Sequence, residues 1–342
     1  MAMIDTHNPK IGVVGAGSWG TALADLLAAK GYAVQLWAYE PEVVESIASD
    51  RENRLFLPEI ILEKGLHASD DLAEVVGGKD LVLMVVPSHE MRRVAGMAAA
   101  HLPDDAIVVS ASKGIENKTH RTMTGILGEL LPKKERLAVL SGPSFAIEVA
   151  QRMPTVVTAA AVDIDVANDV QAVFATSYFR VYTNTDVIGV ELGGAIKNVI
   201  AIASGIVDGL GLGLNSRAAV ITRGLTEIRR LGIRMGANPH TFAGLAGVGD
   251  LMLTCTGTLS RNHTVGKMIG EGKTLGDILS EMRMVAEGVK TAKSVYNLSK
   301  KLGVDMPIAH SVHAVLYDNL DPRAAVYQLM TRNLKSELED VE

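Results

Sequence analysis

Cysteine is almost absent from this 342-residue sequence, in which Cys255 is the one example. A single thiol can form neither an intramolecular disulfide nor a zinc site built on paired cysteines, so we expect a reducing compartment and assign the protein to the cytoplasm. Phenylalanine is also scarce, with 5 residues against 14 methionines. This balance indicates adaptable packing in the core.

An excess of basic charge is missing as well, since 33 lysines and arginines face 39 acidic residues and the formal net charge is -6. We therefore expect no nucleic-acid partner, and any anionic ligand must be held by a local site. Uncharged runs fall short of the roughly 18 to 20 residues of a membrane helix, and residues 1–10 lack the apolar segment of a secretory signal. Neither membrane insertion nor export is expected.

The first half of the chain alternates short β-branched runs with segments of helical length. The runs predicted as buried strands are 11–14, 33–37, 81–86, 106–109 and 137–140, with 155–161 and 179–182 completing the sheet. The predicted helices between them are 20–30, 41–49, 89–100, 119–131 and 163–175. This alternation is typical of an α/β domain, a Rossmann-type doubly wound parallel sheet.

Beyond about residue 189 the β-branched runs stop, and long apolar stretches broken by glycine and alanine take over. The predicted helices are 189–206, 217–235, 239–251, 262–270, 274–282, 287–302 and 308–317. Two domains follow from this change of pattern. We expect a Rossmann domain over residues 1–188 and an all-helical C-terminal domain over 189–342.

A glycine-rich motif, G-x-G-x-x-G, joins the first predicted strand to the first predicted helix at residues 15–20. Gly15 permits a tight turn, Gly17 lets the backbone approach a pyrophosphate, and Gly20 lets helix and strand pack closely. Free N–H groups at the helix N-terminus then attract the phosphate charge. The motif predicts a dinucleotide site, with a plain strand–helix turn as the alternative.

Glu40 lies just after the second predicted strand, about 20 positions beyond the glycine motif. A carboxylate there can accept both ribose hydroxyls and repels a 2′-phosphate, so NAD is mildly favoured over NADP. The alternative is an exposed acid in the first turn of a helix that Pro41 opens. Arg51 and Arg54 can still reach a 2′-phosphate, so the use of both cofactors stays open.

Three isolated charged residues lie where a reaction could take place. Lys113 follows a predicted strand at the edge where open α/β sheets bind ligands, although an exposed loop lysine is the alternative. Lys197 stands in a largely apolar helix, and a desolvated lysine can act as a general acid or base. Asp250 can orient Lys197 or accept a substrate hydroxyl. The alternatives are a structural pair of Lys197 with Glu191 or another acid, and an N-cap role for Asp250.

The run Ser260-Arg261-Asn262 has the features of a phosphate site. Ser260 or Asn262 can cap a helix, while Arg261 offers a planar fork of N–H donors. A plain surface arginine is the alternative. Four more arginines form a basic helical stretch that is typical of a solvated or subunit-contact face, namely Arg223, Arg229, Arg230 and Arg234.

No metal site is predicted, because nothing near His310 and His313 completes one. Two other functions compete with acid–base chemistry at Lys197. The first uses Cys255 as the nucleophile of an aldehyde-oxidising dehydrogenase, although no catalytic base adjoins it. The second is a noncatalytic dinucleotide sensor whose helical half binds a partner.

A series of short motifs spans nearly the whole chain. They are G-A-G-S-W-G-T-A-L-A at 15–24, V-V-P-S-H at 85–89, S-K-G-I-E at 112–116, L-S-G-P-S-F-A at 140–146, G-G-A-I-K-N at 193–198, G-V-G-D-L at 247–251, T-C-T at 254–256 and S-R-N at 260–262. In these motifs and their order the chain resembles the soluble NAD(P)-dependent glycerol-3-phosphate dehydrogenases of bacteria.

The resemblance implies reversible NAD(P)H-dependent reduction of dihydroxyacetone phosphate to sn-glycerol 3-phosphate, the backbone precursor of phospholipids, by a homodimer. It implies that Lys197 donates and accepts the proton. The positions that match substrate contacts are Lys113, Gly142, Ser144, Asp250, Ser260, Arg261 and Asn262. The positions that match cofactor contacts are Ser18, Trp19, Tyr39, Lys113, Ala146, Arg261, Val285 and Glu287. Many relatives have His or Arg in place of Tyr39, so their NADP preference does not transfer to this chain.

Overall fold

The structure is a computed structural model that describes residues 4–131, 133–282 and 286–337. The chain divides into two units. The first comprises Met1–Lys113 and Met123–Val187, and the second comprises Gly114–Thr122 and Ile188–Glu342. The predicted boundary between residues 188 and 189 therefore does not account for Gly114–Thr122, which leaves the first unit and joins the second.

The first unit is built on an eight-stranded sheet. Its strands are β1 (Ile11–Val14), β2 (Val34–Trp37), β3 (Leu66–Ser69), β4 (Leu81–Met84), β5 (Ile107–Ser110), β6 (Leu137–Ser141), β7 (Thr155–Ala161) and β8 (Phe179–Asn184). They lie in the order β3-β2-β1-β4-β5-β6-β7-β8. The strand order changes direction between β1 and β4, which is the switch point of a doubly wound sheet. The predicted Rossmann-type fold is confirmed.

The sheet is mostly parallel but not entirely so. Strands β1 to β6 pair in parallel, whereas β7 runs antiparallel to β6 and β8 runs parallel to β7. The apolar runs of β7 and β8 predict buried strands without indicating their direction, because a buried strand has the same pattern in either orientation.

Helices cover both faces of this sheet. They are α1 (Ser18–Ala29), α2 (Pro41–Asp50), α3 (Leu72–Val76), α4 (Met91–Ala99), α5 (Met123–Leu130), α6 (Ala146–Ala150) and α7 (Ile164–Phe174). In β4, Leu81 and Leu83 belong to one hydrophobic cluster, and Val82 and Met84 belong to another. Since alternate side chains point to opposite faces, the strand is buried on both sides, which explains its unbroken apolar sequence.

The second unit is helical. Its helices are α8 (Val187–Gly209), α9 (Gly213–Arg234), α10 (Asp250–Thr256), α11 (Arg261–Gly270), α12 (Leu275–Glu281), α13 (Glu287–Leu302), α14 (Pro307–Tyr317) and α15 (Pro322–Met330). Helix α8 is long and apolar enough to cross a membrane, but 89% of its most apolar window is buried within the structure. This burial is typical of a core helix, and Ile196, Val199 and Ile200 contribute to the core of the unit.

The segment Gly114–Thr122 joins the helical unit through its own packing. Ile115 is 3% exposed and belongs to the hydrophobic core of that unit. Ser294 on α13 donates a hydrogen bond to the carbonyl oxygen of Ile115 at 2.8 Å. These contacts link residues 179 positions apart, so no local pattern in the sequence indicates them.

The predicted helix over 239–251 is wrong. The structure has a 3₁₀ helix at Pro239–Ala243, a π-helical turn at Leu245–Gly249, and then α10. Gly244 adopts an extended conformation and separates the first two, and the Asn238 side chain caps the 3₁₀ helix by accepting the N–H of His240. Glycines at 244, 247 and 249 weaken continuous α-helix formation here.

Candidate active site

Three glycines shape the turn between β1 and α1. Gly15 has a φ of +116°, in the left-handed region, and a Cβ there would lie 2.6 Å from the carbonyl oxygen of Val85. A Cβ on Gly20 would clash with the carbonyl oxygen of Gly15. Gly17 is the N-cap of α1, and open space surrounds the place of its missing Cβ. The helix N-terminus is therefore accessible to an anion, as a dinucleotide phosphate requires.

The next two residues lie in the first turn of α1. Ser18 donates a hydrogen bond from Oγ to the carbonyl oxygen of Phe56 at 2.5 Å, which fixes the turn against the chain after α2. Trp19 packs on the core of the unit, and its buried Nε1 has no hydrogen-bond partner among the described residues. A buried donor without a partner is uncommon in a protein, so Trp19 Nε1 is suited to donate to a bound ligand.

Tyr39 and Glu40 follow β2. The Tyr39 side chain is 69% exposed, and the Arg93 guanidinium lies 6.0 Å from its ring centroid. Glu40 is the N-cap of α2 but its side chain forms no capping hydrogen bond, and Pro41 opens the helix. The helix does not use this carboxylate as a cap, so it can accept hydrogen bonds from a ligand.

The carbonyl oxygen of Gly142 brings together several predicted site residues of the first unit. Lys113 Nζ donates to it at 3.2 Å, and Ser144 Oγ donates to it at 3.0 Å. Gly142 has a φ of +144°, and a Cβ there would lie 2.9 Å from Cα of Val157, so the turn after β6 requires glycine. Ala146, another predicted contact, is the first residue of α6. Lys113 and Ser144 therefore place an ammonium group and a hydroxyl at one point beside the sheet.

Lys197 and Asp250 form a buried ion pair in the second unit. Lys197 is 6% exposed and Asp250 is 1% exposed. Lys197 Nζ donates to Asp250 Oδ1 and, at 2.6 Å, to Thr254 Oγ1. The Thr254 hydroxyl donates in turn to the backbone carbonyl of Asp250 at 2.7 Å. The sequence analysis predicts the lysine and the aspartate but misses Thr254, whose spacing of four from Asp250 puts it on the same helix face.

The backbone before Asp250 lets α10 approach α8 closely. A Cβ on Gly193 would clash with the carbonyl oxygen of Ala246, in the π-helical turn that leads into α10. Only glycine at this point of α8 therefore allows the turn to lie against it. A π-helical turn holds an extra residue relative to an α-helical turn and often occurs at functional sites.

Amide hydrogen bonds connect Asn198, the residue after Lys197, to the predicted phosphate motif. Asn262 Nδ2 donates to Oδ1 of Asn198 at 2.9 Å, and Asn262 Oδ1 accepts the N–H of Gly288 at 2.9 Å. The two bonds connect α8, α11 and the start of α13. Asn198 is a second residue that the sequence analysis misses, although it directly follows Lys197.

The remaining predicted residues lie at helix starts. Ser260 is the N-cap of α11 and accepts the N–H of His263 at 3.3 Å. Arg261 is the first residue of that helix and is exposed, and Glu287 is the first residue of α13. Val285 lies outside the described residues.

Cys255 is unsuited to the nucleophilic role considered above. Its side chain is fully buried, and burial raises the pKa of the thiol to about 12, with Lys197 opposing and Asp250 reinforcing the shift. The thiolate is the reactive form of cysteine, so at neutral pH this residue is inert. Among the described residues, no group of three or more metal-ligating side chains is present.

Comparisons with known proteins identify the family of this chain. A family model described as the NAD-dependent glycerol-3-phosphate dehydrogenase N-terminus matches residues 10–167, and the model of its C-terminus matches residues 186–327. The chain is 63% identical over 330 residues to the glycerol-3-phosphate dehydrogenase [NAD(P)+] of Citrifermentans bemidjiense, covering 96% of this chain and 98% of the relative. With the same coverage it is 62% identical to that of Geobacter sp. strain M21.

A solved structure is also similar. The crystal structure of glycerol-3-phosphate dehydrogenase from Coxiella burnetii superimposes with a TM-score of 0.92 at 39% identity, covering 95% of this chain and 100% of that one. The two family models together span most of the sequence, and the relatives match almost from end to end. The chain therefore belongs to the family of NAD-dependent glycerol-3-phosphate dehydrogenases.

Proposed function

We propose that the protein catalyses the reversible NAD(P)H-dependent reduction of dihydroxyacetone phosphate to sn-glycerol 3-phosphate, which supplies the glycerol backbone for phospholipid synthesis. The observation that carries the proposal is the buried Lys197, held by Asp250 and Thr254 in a chain of this family. A ketone reduction needs one proton donor beside the carbonyl oxygen, and a fixed ammonium group is such a donor.

The first unit is proposed to bind the cofactor, and three of its residues are suited to contact a dinucleotide. The open space at Gly17 leaves room for a pyrophosphate at the start of α1, and Glu40 is not used as a helix cap. The buried Nε1 of Trp19 provides an unused donor nearby in sequence. Further proposed cofactor contacts are Gly15, Ser18, Gly20, Tyr39, Lys113, Ala146, Arg261, Val285 and Glu287. When bound, NAD(P)H supplies the hydride that the ketone carbon accepts.

Lys197 is proposed to hold and then deliver the proton. As hydride reaches the ketone carbon, negative charge grows on the carbonyl oxygen, and the Lys197 ammonium group neutralises it by giving up one proton. Asp250 pairs with the lysine and orients it, while Thr254 fixes the position of Nζ. In the oxidative direction the neutral amine takes the proton back.

Other residues are proposed to bind the substrate. Arg261 offers paired N–H donors to the phosphate from the start of α11, where Ser260 and Asn262 flank it. Phosphate binding remote from the reacting carbon positions that carbon for hydride transfer. In the first unit, Lys113, Gly142 and Ser144 are proposed as further substrate contacts.

One assay tests the function directly. Purified protein is mixed with NADH or NADPH and dihydroxyacetone phosphate, and absorbance of the reduced nicotinamide is followed, with unphosphorylated dihydroxyacetone as the control substrate. We expect oxidation that depends on the phosphate group and an NADH rate at least comparable with that for NADPH. Cofactor binding without turnover would favour the noncatalytic sensor, and a hundredfold preference for NADPH would remove Glu40 from its proposed role.

The subunit number and compartment complete the proposal. We propose a homodimer, because symmetric dimers are the most common assemblies of soluble proteins, and sedimentation at assay concentrations tests it. A cytoplasmic location is supported by the single cysteine, which is buried and not in a disulfide. Fractionation of cells that produce the protein tests that location.

A further inference from the structure

Three neighbouring strands of the first unit end side by side. Trp37 is the last residue of β2 and Met84 the last of β4, and each pairs with Val14, the last residue of β1. The segments that follow β2 and β4 therefore leave the sheet at the same edge. Doubly wound sheets bind a dinucleotide at this edge, and the segment after the second strand lies at the ribose of its adenosine half.

Arg93 on α4 connects these two segments. Its guanidinium lies 6.0 Å from the ring centroid of Tyr39, the residue before Glu40. NADP differs from NAD by a phosphate on the 2′-oxygen of this ribose, and a nearby arginine is the usual partner of that phosphate in Rossmann domains. An unmatched charge on Arg93 would therefore favour NADP and oppose the effect of Glu40.

Glu90 matches that charge. It is the N-cap residue of α4, but its side chain caps no N–H group of the helix. Arg93 Nε instead donates to Glu90 Oε2 at 2.7 Å, while the other carboxylate oxygen lies 3.7 Å from His89 Nε2, beyond hydrogen-bond distance. Arg93 Nη1 donates to the sulfur of Met97 at 3.5 Å, and Nη2 has no partner among the described residues. The guanidinium is thus compensated by one carboxylate and keeps one nitrogen open.

The two arginines that the sequence offers for a 2′-phosphate have other partners. Arg54 forms an ion pair with Asp50 at 2.9 Å. Arg51 donates to a backbone carbonyl of the loop after α2 at 3.5 Å. Of these three arginines, only Arg93 has a ring contact with Tyr39 in the part of the chain that the structure describes. The state of Arg93 is therefore the one to consider for the choice of cofactor.

We propose that Glu90 is a specificity-determining residue that favours NAD(H) over NADP(H). Its carboxylate holds Arg93 and cancels the positive charge that a 2′-phosphate needs, so the negative charge of Glu40 decides which cofactor binds. The inference rests on the proposed function, since it assumes that the first unit binds a dinucleotide. It gives the start of α4 a part in cofactor choice, beside the acid that follows β2.

Glu90→Gln tests the proposal, because the amide keeps the shape of the side chain and removes its charge. The Glu90 side chain is 35% exposed, so the variant should fold. Titration of nicotinamide fluorescence measures the Kd of NADH and of NADPH without substrate, so no turnover is needed. The Kd of NADPH falls at least about tenfold, because the released guanidinium forms charge-assisted hydrogen bonds with the 2′-phosphate, and the Kd of NADH changes little. Adenosine 2′,5′-bisphosphate, the adenosine half of NADP, displaces NADH from the variant at correspondingly lower concentration.

Two further variants show whether Arg93 carries the effect. Addition of Arg93→Ala to Glu90→Gln abolishes the gain in NADPH affinity, because the phosphate then has no guanidinium to pair with. Asp50→Asn is the matched control, since it releases Arg54 from an ion pair of similar length, and it leaves both dissociation constants unchanged.

Three results overturn the inference. They are an unchanged Kd of NADPH in folded Glu90→Gln, a gain that survives the loss of Arg93, and an equal gain in Asp50→Asn. In each case, binding of NADH to the unmodified protein leaves the proposed function standing. An unmodified protein that binds neither NADH nor NADPH would instead remove the proposed cofactor site, and this inference with it.

Discussion

Lys197 occupies a position that is unfavourable unless its charge is matched. An ammonium group that is 6% exposed loses most of its hydration, and Asp250 and Thr254 replace the lost water with two hydrogen bonds. A buried pair of this kind is weak evidence for stability, because the desolvation cost offsets much of the attraction. We propose that its presence in the helical core serves the proposed reaction, which needs a proton donor held in one orientation.

Replacement of the lysine tests this explanation. Lys197→Met should reduce kcat at least about a hundredfold, which is the usual contribution of acid–base catalysis. Steady-state kinetics measures the loss, and unchanged NADH binding together with a normal circular dichroism spectrum shows that the variant is folded. Lys267→Met removes an exposed lysine of α11 and serves as the control, with turnover unchanged. A folded Lys197→Met enzyme with near-normal turnover would contradict the assignment.

The state of Cys255 leads to a second prediction. Because the thiol is buried with its pKa raised to about 12, we expect Cys255→Ala to retain normal turnover and the native protein to resist alkylation by iodoacetamide at pH 7. Mass spectrometry after alkylation and steady-state kinetics make the two measurements. Rapid modification, or loss of turnover in a folded alanine variant, would restore the nucleophilic mechanism.

Helix α14 depends on a carboxylate from α9. Glu227 accepts the first N–H groups of α14, and burial raises its pKa from the usual 4.5 to about 7. The folded protein therefore binds this proton more tightly than the unfolded chain does. The stabilisation associated with the proton is complete below pH 4.5 and is lost as the pH rises through 7.

This linkage predicts a pH-dependent stability. Between about pH 4.5 and 8, Glu227 should lower the free energy of unfolding by about 3 kcal/mol. Glu227→Gln removes the titration, so the free energy of unfolding of the unmodified protein minus that of the variant should fall by about 3 kcal/mol over this pH range. Chemical denaturation at a series of pH values measures it, with the exposed Glu281→Gln as control. A difference that does not change with pH would show that Glu227 does not titrate in this range.

The success of the sequence predictions differs between elements for physical reasons. Strands buried on both faces, such as β1 and β7, are found with their correct bounds because their apolar runs are uninterrupted. Strand β3 is missed because Leu66 is its one buried residue. Helix α15 is missed for a similar reason, since Ala325 alone is buried there. Elements with little buried surface leave little hydrophobic pattern to detect.

The candidate site also contains features that the sequence predicts and contacts that it does not. The glycine motif and the isolated Lys197 are visible in the sequence because each is unusual within its own segment. The contact between Asn198 and Asn262 joins residues 64 positions apart, and Lys113 meets Gly142 across 29 positions. Such contacts result from packing, so a single sequence gives no local sign of them.

At the scale of the whole molecule, a chain of net charge -6 is expected to bind two anionic ligands. Local features must therefore supply the attraction, and the proposed ones are the N-terminus of α1 in the first unit and Arg261 in the second. The N-terminus of α1 offers backbone donors, which a substitution can block without any change in charge.

Gly17→Val provides that substitution and the last prediction. Open space surrounds the missing Cβ, and Gly17 has an ordinary φ of -64°, so the variant should fold. NADH at 100 times its Kd should stabilise the unmodified protein by about 2.7 kcal/mol and the variant hardly at all. Denaturation with and without NADH measures both values. Gly96→Val, at another open glycine, should keep the stabilisation, and equal responses of the two variants would argue against the proposed phosphate position.

The π-helical turn Leu245–Gly249 restricts how the sequence can change in length. Its glycines make the stretch resemble a tolerant linker, yet Asp250 and Thr254 face the lysine only because the winding before them brings α10 to one rotational setting. Loss or gain of a single residue would turn the following helix by about 100° and carry the carboxylate away from the amine. The segment therefore acts as a spacer of fixed length, and Gly247 within it also resists substitution, because a Cβ there would clash with the backbone of Phe242.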